Sequence, residues 1–230
     1  MGVQVKNLKK SFKDKEILKG ISFEIEKGSV CGLLGVNGAG KSTIMKIIFG
    51  LEEADSGAVI FNGEKISEKS SADFNIGALI ESPAIYMNLS AFDNLKTRAL
   101  LYDISDVRIK EVLKLIGLSH TGKKKAGHFS LGMKQRLGLG MAMITNPDLL
   151  ILDEPTNGLD PDGIKELLDL ISHLKNTGMT ILLSSHQLHE VSKVADHIVI
   201  LHDGEIFYDE ANTHDDDLEK LFFKIVHGGA

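Results

Sequence analysis

The sequence predicts an α/β protein: a parallel core sheet that carries an antiparallel β subdomain and a helical subdomain. Three patterns point there. Short apolar runs at 30–34, 148–152, 179–183 and 197–201 are spaced, through the second half of the chain, by the amphipathic stretch 163–176 and the helix-like stretch 188–194. Strands that alternate with helices pack as a parallel sheet with short crossovers. Ile21, Phe23 and Ile25 alternate with Ser22, Glu24 and Glu26, and the run 58–61 lies between the turn pairs Ser56-Gly57 and Asn62-Gly63. Such alternation between turns is an antiparallel pattern. From 88 to 146 the periodicity becomes helical, in segments 91–102, 105–116 and 131–145.

A chain of 230 residues holds one domain with subdomains rather than two full domains in tandem. The expected division is a single domain, 1–230, with its catalytic core and β subdomain in 1–85 and 146–210, the helical subdomain in 86–145 and a tail helix in 211–230. Hydrophobic residues at 43% and charged residues at 25% suit a globular chain with a sizeable core. The 26 basic residues stand against 32 acidic ones, and a net charge of −6 argues against a general electrostatic grip on nucleic acid or anionic lipid. Any phosphate must then be held by local geometry. Cys31 is the sole cysteine and no leader precedes the first strand-like segment, so a reducing, cytosolic setting is expected. No run approaches the roughly 18 consecutive apolar residues of a membrane span, and work at a membrane would need other chains as the anchor.

The run 30–34 leads into Gly35-Val36-Asn37-Gly38-Ala39-Gly40-Lys41-Ser42 and then into helical periodicity up to 49. This is the G-x-x-x-x-G-K-[ST] pattern in its required place, between a buried strand and a helix start. Glycines let successive N–H groups curl inward around a phosphate chain, and the first turn of the helix, with Thr43 following Ser42, adds unpaired donors and the positive end of its dipole. Lys41 would neutralise the β and γ phosphates, and the Ser42 hydroxyl suits Mg²⁺. The plain alternative is a glycine-rich turn without a ligand, which the eight-position match in context outweighs. The apolar run 149–152 ends in Asp153-Glu154. Neighbours on a strand face opposite ways, so Asp153 is expected in the Mg²⁺ shell and Glu154 on the attacking water, as general base or as its polarising group.

Further segments carry a resemblance. Phe129-Ser130-Leu131-Gly132-Met133-Lys134-Gln135-Arg136 stands ahead of the Asp153-Glu154 strand, Gly158-Leu159-Asp160 follows it, and Ser184-Ser185-His186 ends the next strand. From about Val3 to Phe207 the chain resembles the ATP-binding subunit of an ABC transporter. That resemblance implies a P-loop NTPase core of RecA-like type, ATP and Mg²⁺ as cofactors, and two copies closing head to tail on ATP. It makes Phe12 the platform on which adenine stacks. Ser130, a helix N-cap, and the amide of Gly132 would hold the γ-phosphate bound to the opposite copy; Asp160 would lie at the dimer seam, and His186 would contact the γ-phosphate and orient the water. It also implies separately encoded integral membrane permeases as partners, no nucleic acid, and a place on the inner face of a bacterial cell membrane.

Two departures narrow the branch. The usual signature Leu-Ser-Gly-Gly-Gln reads here Phe129 to Met133, keeping Ser130 and Gly132. After the strand 75–80, where the family presents glutamine, stands Glu81, followed by Ser82-Pro83. Glu81 retains an oxygen for Mg²⁺ or water, but it adds a charge beside Asp153 and Glu154, and like charges near one cation raise each other's pKa unless the metal neutralises them. Both features resemble the branch of bacitracin-type exporters and lantibiotic self-protection transporters, in which the membrane subunits handle the peptide. Another drug or ion exporter is the alternative. The stretch from Lys41 to Ser130 leaves no room for the coiled-coil insert of a DNA-repair ATPase, and Thr145-Asn146-Pro147-Asp148 lacks the lysine of a guanine-reading N-K-x-D.

Overall fold

The computed structural model describes residues 2–66, 74–213 and 217–227. Two sheets organise it. Strands β1 (Val3–Phe12), β2 (Lys15–Ile25), β4 (Ser56–Phe61) and β5 (Glu64–Lys65) form an antiparallel sheet in the order β2-β1-β4-β5. Strands β3 (Val30–Leu34), β6 (Ile76–Leu79), β7 (Leu149–Leu152), β8 (Thr180–Ser185), β9 (His197–His202) and β10 (Glu205–Ala211) form the second, in the order β10-β9-β3-β8-β7-β6. All its pairings are parallel except that of β10 with β9. Every residue of β3, β7 and β8 is buried, which is why these strands read as unbroken apolar runs rather than as alternation.

Among the described residues the α-helices are α1 (Lys41–Phe49), α2 (Ala91–Leu101), α3 (Asp106–Leu115), α4 (Leu131–Met143), α5 (Pro161–Asn176), α6 (Leu188–Val191) and α7 (Asp217–His227). Helices α2, α3 and α4 pack on one another through Leu95, Ala99, Ile109, Val112, Leu137 and Leu139. Helix α4 comes close to β6 and to the loop beyond it because small residues permit it. A Cβ on Gly77 would stand 2.1 Å from the Ala142 carbonyl oxygen, and one on Gly138 would stand 2.6 Å from Pro83 Cβ. An ion pair of 3.3 Å between Arg136 and Glu166 ties α4 to α5.

The catalytic consequence lies in strand order. Strands β3, β8, β7 and β6 are adjacent and parallel, so their carboxyl ends open on the same side. The glycine loop follows β3, His186 follows β8, Asp153 and Glu154 follow β7, and Glu81 follows β6. Ligands of open α/β sheets bind along that edge.

The structure departs from the sequence expectation in places. Ala211, read as the first residue of the tail helix, instead ends the edge strand 205–211 that pairs antiparallel with β9, and the described tail residues 217–227 are helical. Tail residues 214–216 and 228–230 lie outside the described residues. The stretch 188–194 is helical for one turn only, over Leu188–Val191.

Candidate active site

Helix α1 begins at Lys41 because Gly40, at φ 112, bends the chain into its first turn. A side chain at 40 would also meet Leu18, 2.7 Å from a Cβ there. Gly38, at φ 84, has open space where a Cβ would stand, room that an anion on the loop's N–H groups can use. Asn37, Gly38, Gly40, Lys41, Ser42 and Thr43 line one cleft of about 260 Å³ with Phe12, Lys15, Ile17 and Glu154. Gly35 and Ala39 are buried beneath it.

Lys41 is 4% exposed, yet its charge is engaged. Its Nζ donates to the carbonyl of Gly35 at 2.7 Å and of Val36 at 3.2 Å, and stands 3.1 Å from Glu154 Oε1. Glu154 Oε2 accepts from Asn157 Nδ2 at 2.7 Å and meets His186 Nδ1 at 2.6 Å. Burial pushes the Glu154 carboxyl up, but the hydrogen bonds from Lys41 and His186, with the Lys41 charge and Asn157 behind them, prevail and hold it below the usual range. An ionised carboxylate only accepts, so His186 must carry its proton on Nδ1, which leaves Nε2 for another partner.

Asp153 and Glu154 do not diverge for the reason expected. Strand β7 ends at Leu152, and both residues lie past it. Glu154 sits in the left-handed region at φ 46, and that turn, not strand alternation, separates the two side chains. Asp153 is buried, with Oδ1 accepting from Ser184 Oγ at 2.6 Å, while Ser184 Oγ itself accepts from the Glu154 amide at 2.9 Å. One hydroxyl therefore fixes both acidic residues. The Ser42 hydroxyl and the Asp153 carboxylate are hard oxygen donors, a set that fits magnesium, which takes one or two carboxylates and completes its shell with phosphate and water.

Glu81 is exposed, at φ 65, and gives Oε1 to Lys46 Nζ at 2.6 Å. The pKa rise expected from neighbouring carboxylates is therefore overturned: the hydrogen bond from Lys46, and then its charge, hold the Glu81 carboxyl below the usual range. Phe12 is 43% exposed, with Lys10 Nζ 4.9 Å from the ring centroid. Ser130 caps α4, accepting from the Met133 amide at 3.3 Å, and Asp160 caps α5, accepting from the Gly163 amide at 3.1 Å. Ser130, Gly132 and Asp160 do not line the cleft. They lie in adjoining segments instead: Leu131 is 2.9 Å from where a Cβ on Gly158 would stand, and Leu159 is 3.7 Å from one on Gly132.

Sequence reasoning missed Ser184, Asn157 and Lys46. Ser184 lay within a recognised triplet, but the hydroxyl bridge depends on β8 and β7 being neighbours, which no local pattern reveals.

The ABC transporter family model matches residues 18–157. The lantibiotic transport ATP-binding protein SrtF of Streptococcus pyogenes is 46% identical over 220 residues, 96% of this chain and 95% of its own length. The bacitracin transport ATP-binding protein BcrA of Bacillus licheniformis is 42% identical over 89% of this chain and 68% of its own length. The linearmycin resistance ATP-binding protein LnrL of Bacillus subtilis is 41% identical over 89% and 67%. A solved ATP binding subunit of an ABC transporter is 31% identical with a TM-score of 0.82, over 98% of this chain and 95% of that one. A nucleotide-free ATP-binding cassette from an ABC transporter is 26% identical with a TM-score of 0.86, over 98% and 97%. With a glycine loop, paired acidic residues and a histidine on one sheet edge, and with these relatives along nearly its whole length, the chain belongs to the ABC transporter family as an ATP-binding subunit.

Proposed function

We propose that the chain hydrolyses ATP with magnesium in the cleft between Phe12 and Glu154, and that turnover drives export of a peptide antibiotic, of lantibiotic or bacitracin type, through separate membrane subunits. The observation that carries the chemistry is Glu154 held between Lys41, Asn157 and His186 at the mouth of the glycine loop. A triphosphate tail competes with Glu154 for Lys41. Once Lys41 turns to the phosphates, Glu154 loses a hydrogen bond and a charge that depress its pKa, and burial, which raises it, gains weight. The carboxylate becomes a stronger base when substrate arrives. His186 keeps it oriented, and with a second proton on Nε2 it donates to the γ-phosphate. Magnesium, when bound, supplies positive charge to the phosphate oxygens, and Ser42 and Asp153, with Glu81 as a further oxygen, are the residues to hold it. The loop from Gly35 to Gly40 with Lys41, Ser42 and Thr43 binds the phosphates, and Phe12 stacks on adenine.

Ser130 and Asp160 are exposed and Gly132 is half-buried, in adjoining segments outside the cleft of their own chain, which supports a seam with a second copy whose ATP they complete. Among the described residues no helix is long and apolar enough to cross a membrane. Exposed Tyr86, Met87, Leu100, Leu101 and Tyr102 on and beside α2 support docking of the helical subdomain, 86–145, on membrane subunits at the inner face of a bacterial membrane. The substrate class rests on the likeness to the lantibiotic transport protein SrtF and the bacitracin transport protein BcrA. A strain carrying the chain with its membrane partners should survive a lantibiotic or bacitracin challenge, and Lys41→Ala should abolish survival. Protection that persists in Lys41→Ala overturns the proposal. The likeness to LnrL supports a second reading, export of another drug, which survival against linearmycin but not the peptides would favour.

A further inference from the structure

Helix α1 carries two lysines that each meet a glutamate. Lys41, at its start, meets Glu154; Lys46, about a turn and a half further on, meets Glu81. Glu81 follows β6, and Asp153 and Glu154 follow the adjacent parallel strand β7, so the three carboxylates lie along one sheet edge, while among the described residues no three acidic, His or Cys side chains come together as a ready-made metal cluster. The loop after β6 is tied there at three points. The Leu79 carbonyl accepts from the Asp153 amide at 2.8 Å, Glu81 takes the Lys46 ammonium at 2.6 Å, and Pro83 stands against Gly138 of α4. Glu81 holds a left-handed backbone at φ 65, a conformation that a non-glycine residue keeps only where its surroundings fix it. The bond to Glu81, with the charges of Glu81, Glu52 and Asp153 behind it, raises the Lys46 ammonium, so Lys46 lies within the field of Asp153 as well.

We propose that Lys46 is a positioning residue for Glu81, holding its carboxylate on the flank of α1 in competition with the magnesium ion that accompanies ATP. The ammonium and the metal thereby set between them where the loop sits, and that loop touches the phosphate-binding helix at one end and α4 at the other. This rests on the reading that Ser42 and Asp153 hold magnesium with the nucleotide. Its particular content is that the affinity for the metal depends on Lys46 through Glu81.

The test is a titration of Mn²⁺, followed by its paramagnetic resonance signal, into the full chain saturated with a non-hydrolysable ATP analogue. Lys46→Met should tighten Mn²⁺ binding by up to about five-fold, the factor that the upper worth of an exposed ion pair converts to. Lys46→Arg should match wild type. In a Glu81→Gln background Lys46→Met should lose that gain. An equal gain in both backgrounds would reduce Lys46 to a distant positive charge and overturn the inference, as would no gain at all. If Lys46→Met does not fold, Lys46→Gln carries the same comparison. Wild-type protein that takes up no Mn²⁺ with the analogue overturns the reading beneath; uptake without a gain dependent on Glu81 overturns this inference alone.

Discussion

Lys41 and Glu154 are each the other's counterion inside a site built for a third charge. Removing Glu154 leaves a buried ammonium without its partner, a costly arrangement, so Glu154→Gln should destabilise the nucleotide-free chain near neutral pH. The Glu154 carboxyl is depressed in the folded state. Its stabilising contribution is therefore complete above the ordinary value of 4.5 and drains away as pH falls through the lower folded value. The melting-temperature gap between wild type and Glu154→Gln should shrink as the pH is taken from about 7 to about 3.5; a constant gap would mean that Lys41 does not set that carboxyl. Lys41→Ala should abolish ATP binding in a fluorescence titration, and retained affinity would remove the lysine from the phosphate site. Lys41, Ser42, Asp153, Glu154 and His186 were legible because each sits at a fixed offset from a strand end or a helix start. The partners of those residues were not: Asn157 and Ser184 act through turn geometry and strand adjacency, and Lys46 reads in the sequence as one more surface lysine of α1.

Helix starts carry much of what the chain can do. Ser130 and Asp160 each cap a helix within one chain, and the same side chains are exposed where the proposed second copy would meet them. The two roles separate by experiment. Ser130→Ala should cost the cap, about 1 kcal/mol or roughly 2–4 °C of melting temperature for a chain of this size, and leave monomer affinity for ATP unchanged while hydrolysis falls. A drop in monomer affinity as large as that of Lys41→Ala would put Ser130 in its own chain's site. The approach of β6 to α4 makes Gly77→Ala a sharper structural test, because the added methyl carbon would stand 2.1 Å from a backbone oxygen. A loss of about 1–3 kcal/mol in a denaturant melt is expected, and an unchanged midpoint would show that α4 can step back freely. Buried strands and the amphipathic α5 announced themselves by period. Strand β1 did not, because register shifts after Val5 and Leu8 and the left-handed Asn7 move its buried face from Val5 to Leu8 and break the alternation. Strand β10 alternates only weakly beside exposed acidic residues, and it became visible as a strand only through its pairing with β9.

At the scale of the whole molecule the proposed site is half of a unit that a second copy would complete. The cleft holds the phosphate loop and Glu154, while exposed Ser130 and Asp160 and half-buried Gly132 lie outside it in adjoining segments. A head-to-tail pair would cover both sets at once, with each triphosphate bridging the glycine loop of one copy and the α4 start of the other. Binding energy from the tail would then be spent on closure, and hydrolysis would release it. Glu154→Gln separates these steps, because it removes the proposed base and the competitor for Lys41 together. The variant should bind ATP at least as tightly as wild type, migrate as a dimer in size exclusion with ATP and as a monomer without it, and turn over very slowly. Ser130→Ala in the same background should weaken that dimer, since the cap residue sits outside the cleft that ATP first enters. A Glu154→Gln chain that stays monomeric at saturating ATP, or that hydrolyses it at the wild-type rate, would break the link between this acidic residue, the closing of two copies and the work they do.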